Sequence, residues 1–290
     1  GRPKLERNDD RLHGRGEGRL TFVSQTSPCD PEPMMNQAQR MISPGRLLGL
    51  SFLWLAFLTP ALPNDKPAKS VPRFDPVVRE IEGWKVHIEP VLLGEAVSGD
   101  GVSESDHRSL TMLANHLQRI QILIPSETLA KLQQVEIWIE EEHPSLGAMQ
   151  YHPSRGWLLA NGHDERLTKK VHLPRANQLL SKEQMLKHPA MILHELAHAY
   201  HDQFLSFDQP EIIAAFEEAK TDKRYENVLL YTGQTVRHYG LSNHKEYFAE
   251  GTEAYFYRND FFPFVRAELK QHDPTLHNLL GRLWGERPRK

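Results

Sequence analysis

The sequence predicts an α+β fold, in which a small mixed sheet is followed by a mostly helical C-terminal half. Short alternating or continuous apolar runs, bounded by turn-forming residues, occur between residues 84 and 173 and are typical of strands. From Glu183 onward, apolar residues recur mainly at helical spacing. Because the strands precede the helices rather than alternating with them, a segregated α+β domain is favoured over a parallel α/β sheet.

The elements follow one another along the chain in a simple order. Residues 84–93 alternate well enough to predict a first strand. Residues 106–124 carry apolar side chains every three or four positions, which predicts a helix. Residues 135–140 give the clearest strand signal, because branched apolar residues occupy every second position. Further short strands are predicted at residues 149–152, 156–160 and 169–173.

The composition restricts the functions that the chain can have. With 290 residues, 39% hydrophobic and 25% charged, it fits one or two globular domains. The net charge of −3 and the absence of a long Lys/Arg run make nucleic acid an unexpected partner. The single cysteine, Cys29, excludes an internal disulfide framework and a cysteine-rich zinc site. Any metal must therefore be held by carboxylates and by some of the 16 histidines.

The N-terminal segment has the pattern of a secretory signal peptide. Arg46 precedes an apolar run over residues 47–58, and small residues follow it. The run is shorter than the roughly 20 apolar residues that span a bilayer; a buried core helix is the alternative interpretation. We therefore expect a secreted or periplasmic protein with no stable membrane anchor after signal removal. The predicted organisation is upstream or non-native sequence at 1–40, a signal peptide at 41–61, a linker at 62–80 and one folded domain at 81–290.

The strongest chemical signal is the segment His194-Glu195-Leu196-Ala197-His198. On a helix, His194 and His198 share one face, so both imidazoles can bind one Zn²⁺ ion. Glu195 lies beside them and can accept the proton of a water molecule that the metal activates. Residues 189–200 contain no other charged side chain, which is typical of a buried helix behind a metal site. The alternative is an ordinary helix with two surface histidines.

A downstream segment offers candidates for the third ligand that a zinc hydrolase needs. Glu246, Glu250 and Glu253 follow i, i+4, i+7 spacing and therefore share one helix face. The surrounding aromatic residues indicate that this helix packs into the core, where buried carboxylates need a metal or hydrogen-bonding partners. Spacing alone does not decide which of the three binds the metal.

The two segments together resemble a known family. His194-Glu-Leu-Ala-His198 and the block from Tyr239 to Glu250, which reads Tyr-Gly-Leu-Ser-Asn-His-Lys-Glu-Tyr-Phe-Ala-Glu, are similar to the catalytic domain of anthrax lethal factor and its relatives. These proteins are zinc metallopeptidases of the gluzincin group, and the resemblance covers residues 190–258. It implies a zincin-like metallopeptidase domain over residues 81–290, with the sheet packed on the helix that carries the two histidines.

The resemblance also implies roles for individual residues. Glu246 would be the third ligand of a single Zn²⁺ ion. Tyr239 would stabilise the oxyanion of the tetrahedral intermediate. Apart from the resemblance, the neighbouring His238 is an alternative donor for that hydrogen bond. Glu250 would accept a hydrogen bond from a metal-bound histidine and orient it.

The functional prediction is a secreted zinc endopeptidase that acts on an extended peptide or protein substrate. Residues 169–173 are either an edge strand that pairs with this peptide or an interior strand. Two other classes stay open: a zinc hydrolase of a non-peptide or cell-wall amide, and a catalytically silent metal-binding module. Asp202 is expected to be a solvated helix charge, with support of a metal ligand as the alternative. His201 is expected to lie on the polar surface.

Overall fold

One mixed sheet of five strands forms the base of the domain. The computed structural model describes residues 72–94 and 104–285. The described strands are β1 (Val77–Ile81), β2 (Trp84–Ile88), β3 (Ile137–Ile139), β4 (Gln150–Tyr151), β5 (Val171–Leu173), β6 (Val228–Leu229) and β7 (Thr235–Val236). The large sheet has the order β1-β2-β3-β5-β4; its two outer pairs are antiparallel and its two inner pairs are parallel.

The remaining regular structure is helical, and most of it follows β5. The described helices are α1 (Glu104–Leu123), α2 (Ser126–Leu132), α3 (Arg155–Ala160), α4 (Lys182–Lys187), α5 (Met191–Tyr200), α6 (Pro210–Thr221), α7 (His244–Phe256), α8 (Arg266–His272) and α9 (Pro274–Trp284). The predicted class, α+β with a small mixed sheet and a mostly helical C-terminal half, is therefore confirmed. No helix within the described ranges combines the length and the apolar character needed to cross a bilayer.

Strand β1 begins inside the segment that the sequence predicted as a linker. Val77 to Ile81 pair with β2 through a two-residue turn, Glu82-Gly83, in which both residues have positive φ. Such a turn matches the twist of a hairpin. The linker interpretation of residues 62–80 therefore fails at its C-terminal end. The upstream sequence predicted at 1–40 and the signal peptide predicted at 41–61 lie outside the described residues.

The two faces of the sheet carry different cores. Ile137 and Ile139 belong to the large apolar cluster that the helices cover. Trp138, between them, belongs to a small second cluster with Leu158 and Leu167 on the opposite face. The strand predicted at 135–140 is thus confirmed over its central residues, 137–139, and is buried on both faces, as expected for a strand with parallel neighbours.

Other predicted elements are confirmed in part. The helix predicted at 106–124 corresponds to α1, and its predicted apolar face is buried in the large cluster. The strand predicted at 84–93 ends at Ile88, because a 3₁₀ helix begins at Pro90. The strand predicted at 156–160 is wrong: the Ser154 side chain accepts a hydrogen bond from the Trp157 amide and caps helix α3. The hairpin β6–β7 was not predicted.

The order of the strands decides whether residues 169–173 form an edge strand or an interior strand. Strand β5 lies between β3 and β4, so it is an interior strand. The edge of the sheet at this side is β4, which pairs with β5 through Gln150 and Tyr151. This edge of the sheet is therefore formed by the segment at 149–152, which the sequence analysis predicted only as a short strand.

Candidate metal centre

Helix α5 places His194 and His198 side by side. Seven of its ten residues are buried, including Leu193, Leu196 and Ala197, so the helix is fixed from behind by the apolar core. The two imidazoles sit on the remaining side, with 12% and 13% of their side chains exposed. The predicted buried helix is confirmed, and the alternative of two fully surface histidines is excluded.

Helix α7 brings a carboxylate to the same place. Asn243 caps this helix, because its side-chain oxygen accepts hydrogen bonds from the amides of Lys245 and Glu246 at 2.9 and 3.1 Å. The cap fixes the first turn, in which Glu246 lies. From Tyr247 to Phe256 every residue is buried. The predicted packing of this helix into the core is therefore confirmed.

Three side-chain atoms from the two helices form a nearly equilateral triangle. The distances are 3.1 Å between the Nε2 atoms of His194 and His198, 3.2 Å from His194 Nε2 to Glu246 Oε2, and 3.3 Å from His198 Nε2 to the same oxygen. Zinc–ligand bonds of 2.0–2.1 Å in a tetrahedral site separate ligand atoms by about 3.3–3.4 Å. The triangle therefore has the size and the donor set of one face of a zinc tetrahedron.

The charges around the triangle also favour a cation. Burial alone would lower the pKa of His194, but its contacts with Glu246 and Glu253 outweigh burial and raise that pKa well above 6.5. Conversely, the contacts with the two histidines outweigh burial and hold the pKa of Glu246 far below its ordinary value. The lowered pKa of Glu246 reflects donation by the two imidazoles, whereas the raised pKa of His194 reflects the negative charge of the carboxylates around it. A divalent cation bound by the three donors would compensate that charge directly.

The other nitrogen of His194 is hydrogen-bonded to Glu253 rather than to Glu250. His194 Nδ1 lies 2.7 Å from Glu253 Oε1 and 3.7 Å from Glu250 Oε1. Glu250 is instead held by Asn259, whose side-chain amide donates to Glu250 Oε2 at 2.9 Å. The orienting role that the resemblance assigned to Glu250 therefore falls, in hydrogen-bond geometry, to Glu253.

Glu195 is held by the edge strand. Its Oε2 atom accepts a hydrogen bond of 2.7 Å from the backbone amide of Tyr151 in β4. Burial is the main reason that the pKa of Glu195 is raised, which suits a group that must accept and then release a proton. The Tyr151 hydroxyl donates in turn to Asp202 at 2.6 Å, and Lys169 forms an ion pair with the same carboxylate.

Two expectations about neighbouring residues are therefore wrong. Asp202 is not a solvated charge, because it pairs with Lys169 and Tyr151 and anchors β4. His201 is not on the surface: it is fully buried and contacts Phe207 and Phe248. Its amide donates to the carbonyl of Ala197, one helical turn earlier, so it lies on the buried face of the helix.

Tyr239 lies at the start of a 3₁₀ helix, Tyr239–Ser242, that precedes α7. Its side chain is 49% exposed. Partial burial and then the charge of Glu246 raise its pKa to about 12, so the hydroxyl stays protonated and remains a hydrogen-bond donor at neutral pH. His238, the alternative donor, turns away: it is buried, and its Nδ1 atom accepts the Gly240 amide at 2.9 Å.

Sequence reasoning missed the roles of Glu253 and Tyr151. Helix geometry did favour Glu253. At 3.6 residues per turn, Glu253 points within about 20° of the direction of Glu246, whereas Glu250 points about 40° away from it. No comparable signal marks Tyr151, because its backbone amide, not its side chain, contacts Glu195.

Comparisons with known proteins leave the family open. No family model and no curated protein matches this chain. Among solved structures, the chain is similar to the Pro-Pro endopeptidase PPEP-2 from Paenibacillus alvei, with 20% identity and a TM-score of 0.37. The match covers 67% of this chain and 99% of that one. A similarity of this size does not establish the fold or activity of the present chain, so the resemblance to lethal factor stays a prediction.

The burial of His238 leads to a prediction about acid stability. Burial lowers its pKa from 6.5 to about 3, so between these values the unfolded chain binds a proton that the folded chain does not. The free energy of unfolding therefore falls as the pH falls, by about 1.4 kcal/mol per pH unit for this group. His238→Asn retains an acceptor for Gly240 but no longer titrates. We expect its stability, from urea unfolding between pH 6 and pH 4, to depend less steeply on pH by about that amount.

The control is Ser242→Ala on the same turn, which changes no titrating group and should preserve the wild-type slope. Equal slopes for wild type and His238→Asn would show that folding does not change the pKa of His238, which contradicts the prediction.

Proposed function

We propose that this chain is a zinc-dependent endopeptidase of the gluzincin type. The observation that carries the proposal is the triangle of His194, His198 and Glu246, whose edges of 3.1–3.3 Å fit a tetrahedral zinc site. Glu195, held in place from the edge strand, adds the general base that a hydrolase needs and a binding module does not.

Each residue of the site has a separate role in the proposed hydrolysis of a peptide bond. When bound, a Zn²⁺ ion would polarise the scissile carbonyl and lower the pKa of water. Glu195 accepts the proton of the attacking water and then delivers it to the leaving amine. The Tyr239 hydroxyl donates a hydrogen bond to the developing oxyanion. Glu253 fixes the ring of His194 through Nδ1, so that Nε2 would be available to bind the metal.

The position of β4 supports an extended peptide as the substrate. This strand ends the sheet, and one of its residues, Tyr151, contacts the general base directly. A peptide that runs in extended form along this edge would therefore pass beside Glu195 and the three ligands. Together with the signal-peptide pattern of residues 41–61, this supports an enzyme that acts on peptides or proteins outside the cytoplasm.

A cleavage experiment tests the activity. We expect the zinc-loaded full chain to cut a proteome-derived peptide mixture, because all the groups that hydrolysis requires are present. Mass spectrometry would identify new termini that share a side-chain pattern on either side of the cut. Glu195→Gln is the matched control: it retains the shape and the metal ligands but cannot accept the proton, so its cuts should disappear.

The outcome separates the three classes. Identical termini from wild type and Glu195→Gln would contradict the proposed mechanism. No peptide cuts, but release of products from isolated cell-wall material by wild type alone, would indicate a hydrolase of non-peptide amides. Bound zinc without either activity would indicate a silent metal-binding module.

The ligand assignment predicts a difference between Glu246 and Glu250. Glu246→Ala removes one corner of the triangle, so we expect it to retain one equivalent of zinc fewer than wild type after dialysis. Glu250→Gln preserves the triangle and should retain the wild-type amount, as measured by elemental analysis of folded protein. Loss of zinc from Glu250→Gln but not from Glu246→Ala would reverse the assignment.

The role of Tyr239 predicts a kinetic effect without loss of metal. Tyr239→Phe removes only the hydroxyl, and the loss of one oxyanion donor typically lowers kcat by about 10²–10³-fold. We expect kcat for a cleaved peptide to fall by this factor, with unchanged zinc content and a small change in KM. Tyr257→Phe, a partly exposed tyrosine after α7, serves as the control. Unchanged kcat in Tyr239→Phe would exclude it as the donor.

A further inference from the structure

A second cluster of metal-binding side chains lies behind His194, on the side away from the triangle. His188 precedes α5, Glu253 belongs to α7, and Asp260 lies in the loop that follows α7. One potential ligand atom from each residue lies within 4.8 Å of those from the other two. The cluster therefore joins three separate segments of the chain at a single point.

The carboxylates of this cluster are buried without hydrogen-bonding partners. Asp260 is fully buried, and among the described residues neither of its oxygens has a hydrogen-bond partner. Glu253 is also fully buried; its Oε1 atom contacts His194, whereas no described group bonds to its Oε2 atom. A buried carboxylate without a partner is strongly destabilising, so groups of this kind indicate a missing cation, proton or water.

Among the described residues, no ion pair with Lys or Arg compensates the negative charge of these two carboxylates. No Lys or Arg forms an ion pair with Glu253 or Asp260 in this part of the chain, and His188 Nδ1 lies 3.9 Å from Asp260 Oδ1, beyond hydrogen-bond distance. A zinc ion at the triangle would be held from the opposite side of the His194 ring. It therefore cannot bind Glu253 Oε2 or Asp260.

We propose that His188, Glu253 and Asp260 bind a second divalent transition-metal ion, distinct from the zinc of the proposed active site. Glu253 would bridge the two centres, with Oε1 on His194 and Oε2 on the second ion. Two carboxylates and one imidazole form a mixed O/N donor set, which suits Zn²⁺ or Mn²⁺ better than Ca²⁺ or Mg²⁺, whose sites are built from oxygen.

The second ion would have a positioning role. It would tie the start of α5 to α7 and to the following loop, and it would fix the carboxylate that orients His194. The affinity of the first site would then depend partly on the second, because outer partners of metal-bound histidines typically change metal affinity by about 10–100-fold.

Zinc stoichiometry of the full chain tests this site independently of activity. After chelator treatment and dialysis against buffered Zn²⁺, we expect two equivalents in wild type and one in His188→Ala or Asp260→Asn. His198→Ala, which opens the triangle, should also retain one, and His188→Ala combined with His198→Ala should retain none. Asp208→Asn, at an exposed carboxylate, is the control and should retain two.

Thermal unfolding supplies a second readout that does not depend on the number of zinc equivalents. Addition of Zn²⁺ should raise the Tm of His198→Ala, because this variant preserves the second site, and should leave the Tm of the double variant unchanged. His188 is 28% exposed, so its replacement is expected to preserve the fold even if Asp260→Asn does not.

The zinc counts distinguish failure of the second site from failure of the proposed active site. A single equivalent in wild type that His198→Ala removes would overturn the second site and preserve the first. Two equivalents in folded His188→Ala and Asp260→Asn would also overturn it. A count that falls in His188→Ala but not in His198→Ala would support the second site and contradict the proposed active site.

Discussion

The packing of helix α5 against helix α7 is the constraint on which the candidate site depends. The two histidines and the carboxylates that face them are far apart in the sequence, and only this packing brings them together. Helix α9 holds the pair in place: Trp284 packs on Tyr200 of α5 and on Phe248 of α7, with ring centroids 4.5 and 5.9 Å away. Its indole also donates to Thr252 at 3.1 Å. Apolar packing thus determines the spacing of the polar site.

The same packing is electrostatically unfavourable, because it places several carboxylates close together in the core. It buries Glu250 and Glu253 in the core beside His194, with Glu195 and Glu246 close by. Burial, followed by the charge of Glu253, raises the pKa of Glu250 well above its ordinary value. A fold that gathers so many carboxylates around two imidazoles gains stability from a cation. The charge argument for a metal ion at the proposed active site therefore applies also to the buried carboxylates behind His194.

The sequence was sufficient to predict the parts of the site that depend on short-range spacing. Histidines four residues apart on an uncharged helix gave His194 and His198, and aromatic neighbours indicated the burial of α7. The sequence was not sufficient to decide which carboxylate contacts His194. Glu250 and Glu253 share one helix face, and only their different positions along the helix axis place Glu253 closer to the ring. The burial of His201, by contrast, was predictable from periodicity, because His201 lies one helical turn after the buried Ala197.

The edge strand shows how the fold positions the proposed general base before any ligand is bound. The backbone groups of His152, directly after β4, face the segment that leads into β5: its amide donates to the carbonyl of Lys170, and its carbonyl accepts from the amide of Lys169. The groups of Tyr151 therefore face outward, and its amide is already bonded to Glu195.

The Tyr151 side chain is anchored by Asp202, which follows directly on the helix that carries the histidines. A chain of contacts, from Glu195 in α5 to β4 and back to the turn at His201–Leu205 that follows α5, thus fixes the Glu195 carboxylate. A peptide that pairs with this edge meets a strand whose outward amide is already bonded to Glu195. The surface that would bind substrate and the group that would move the proton are therefore coupled through one residue.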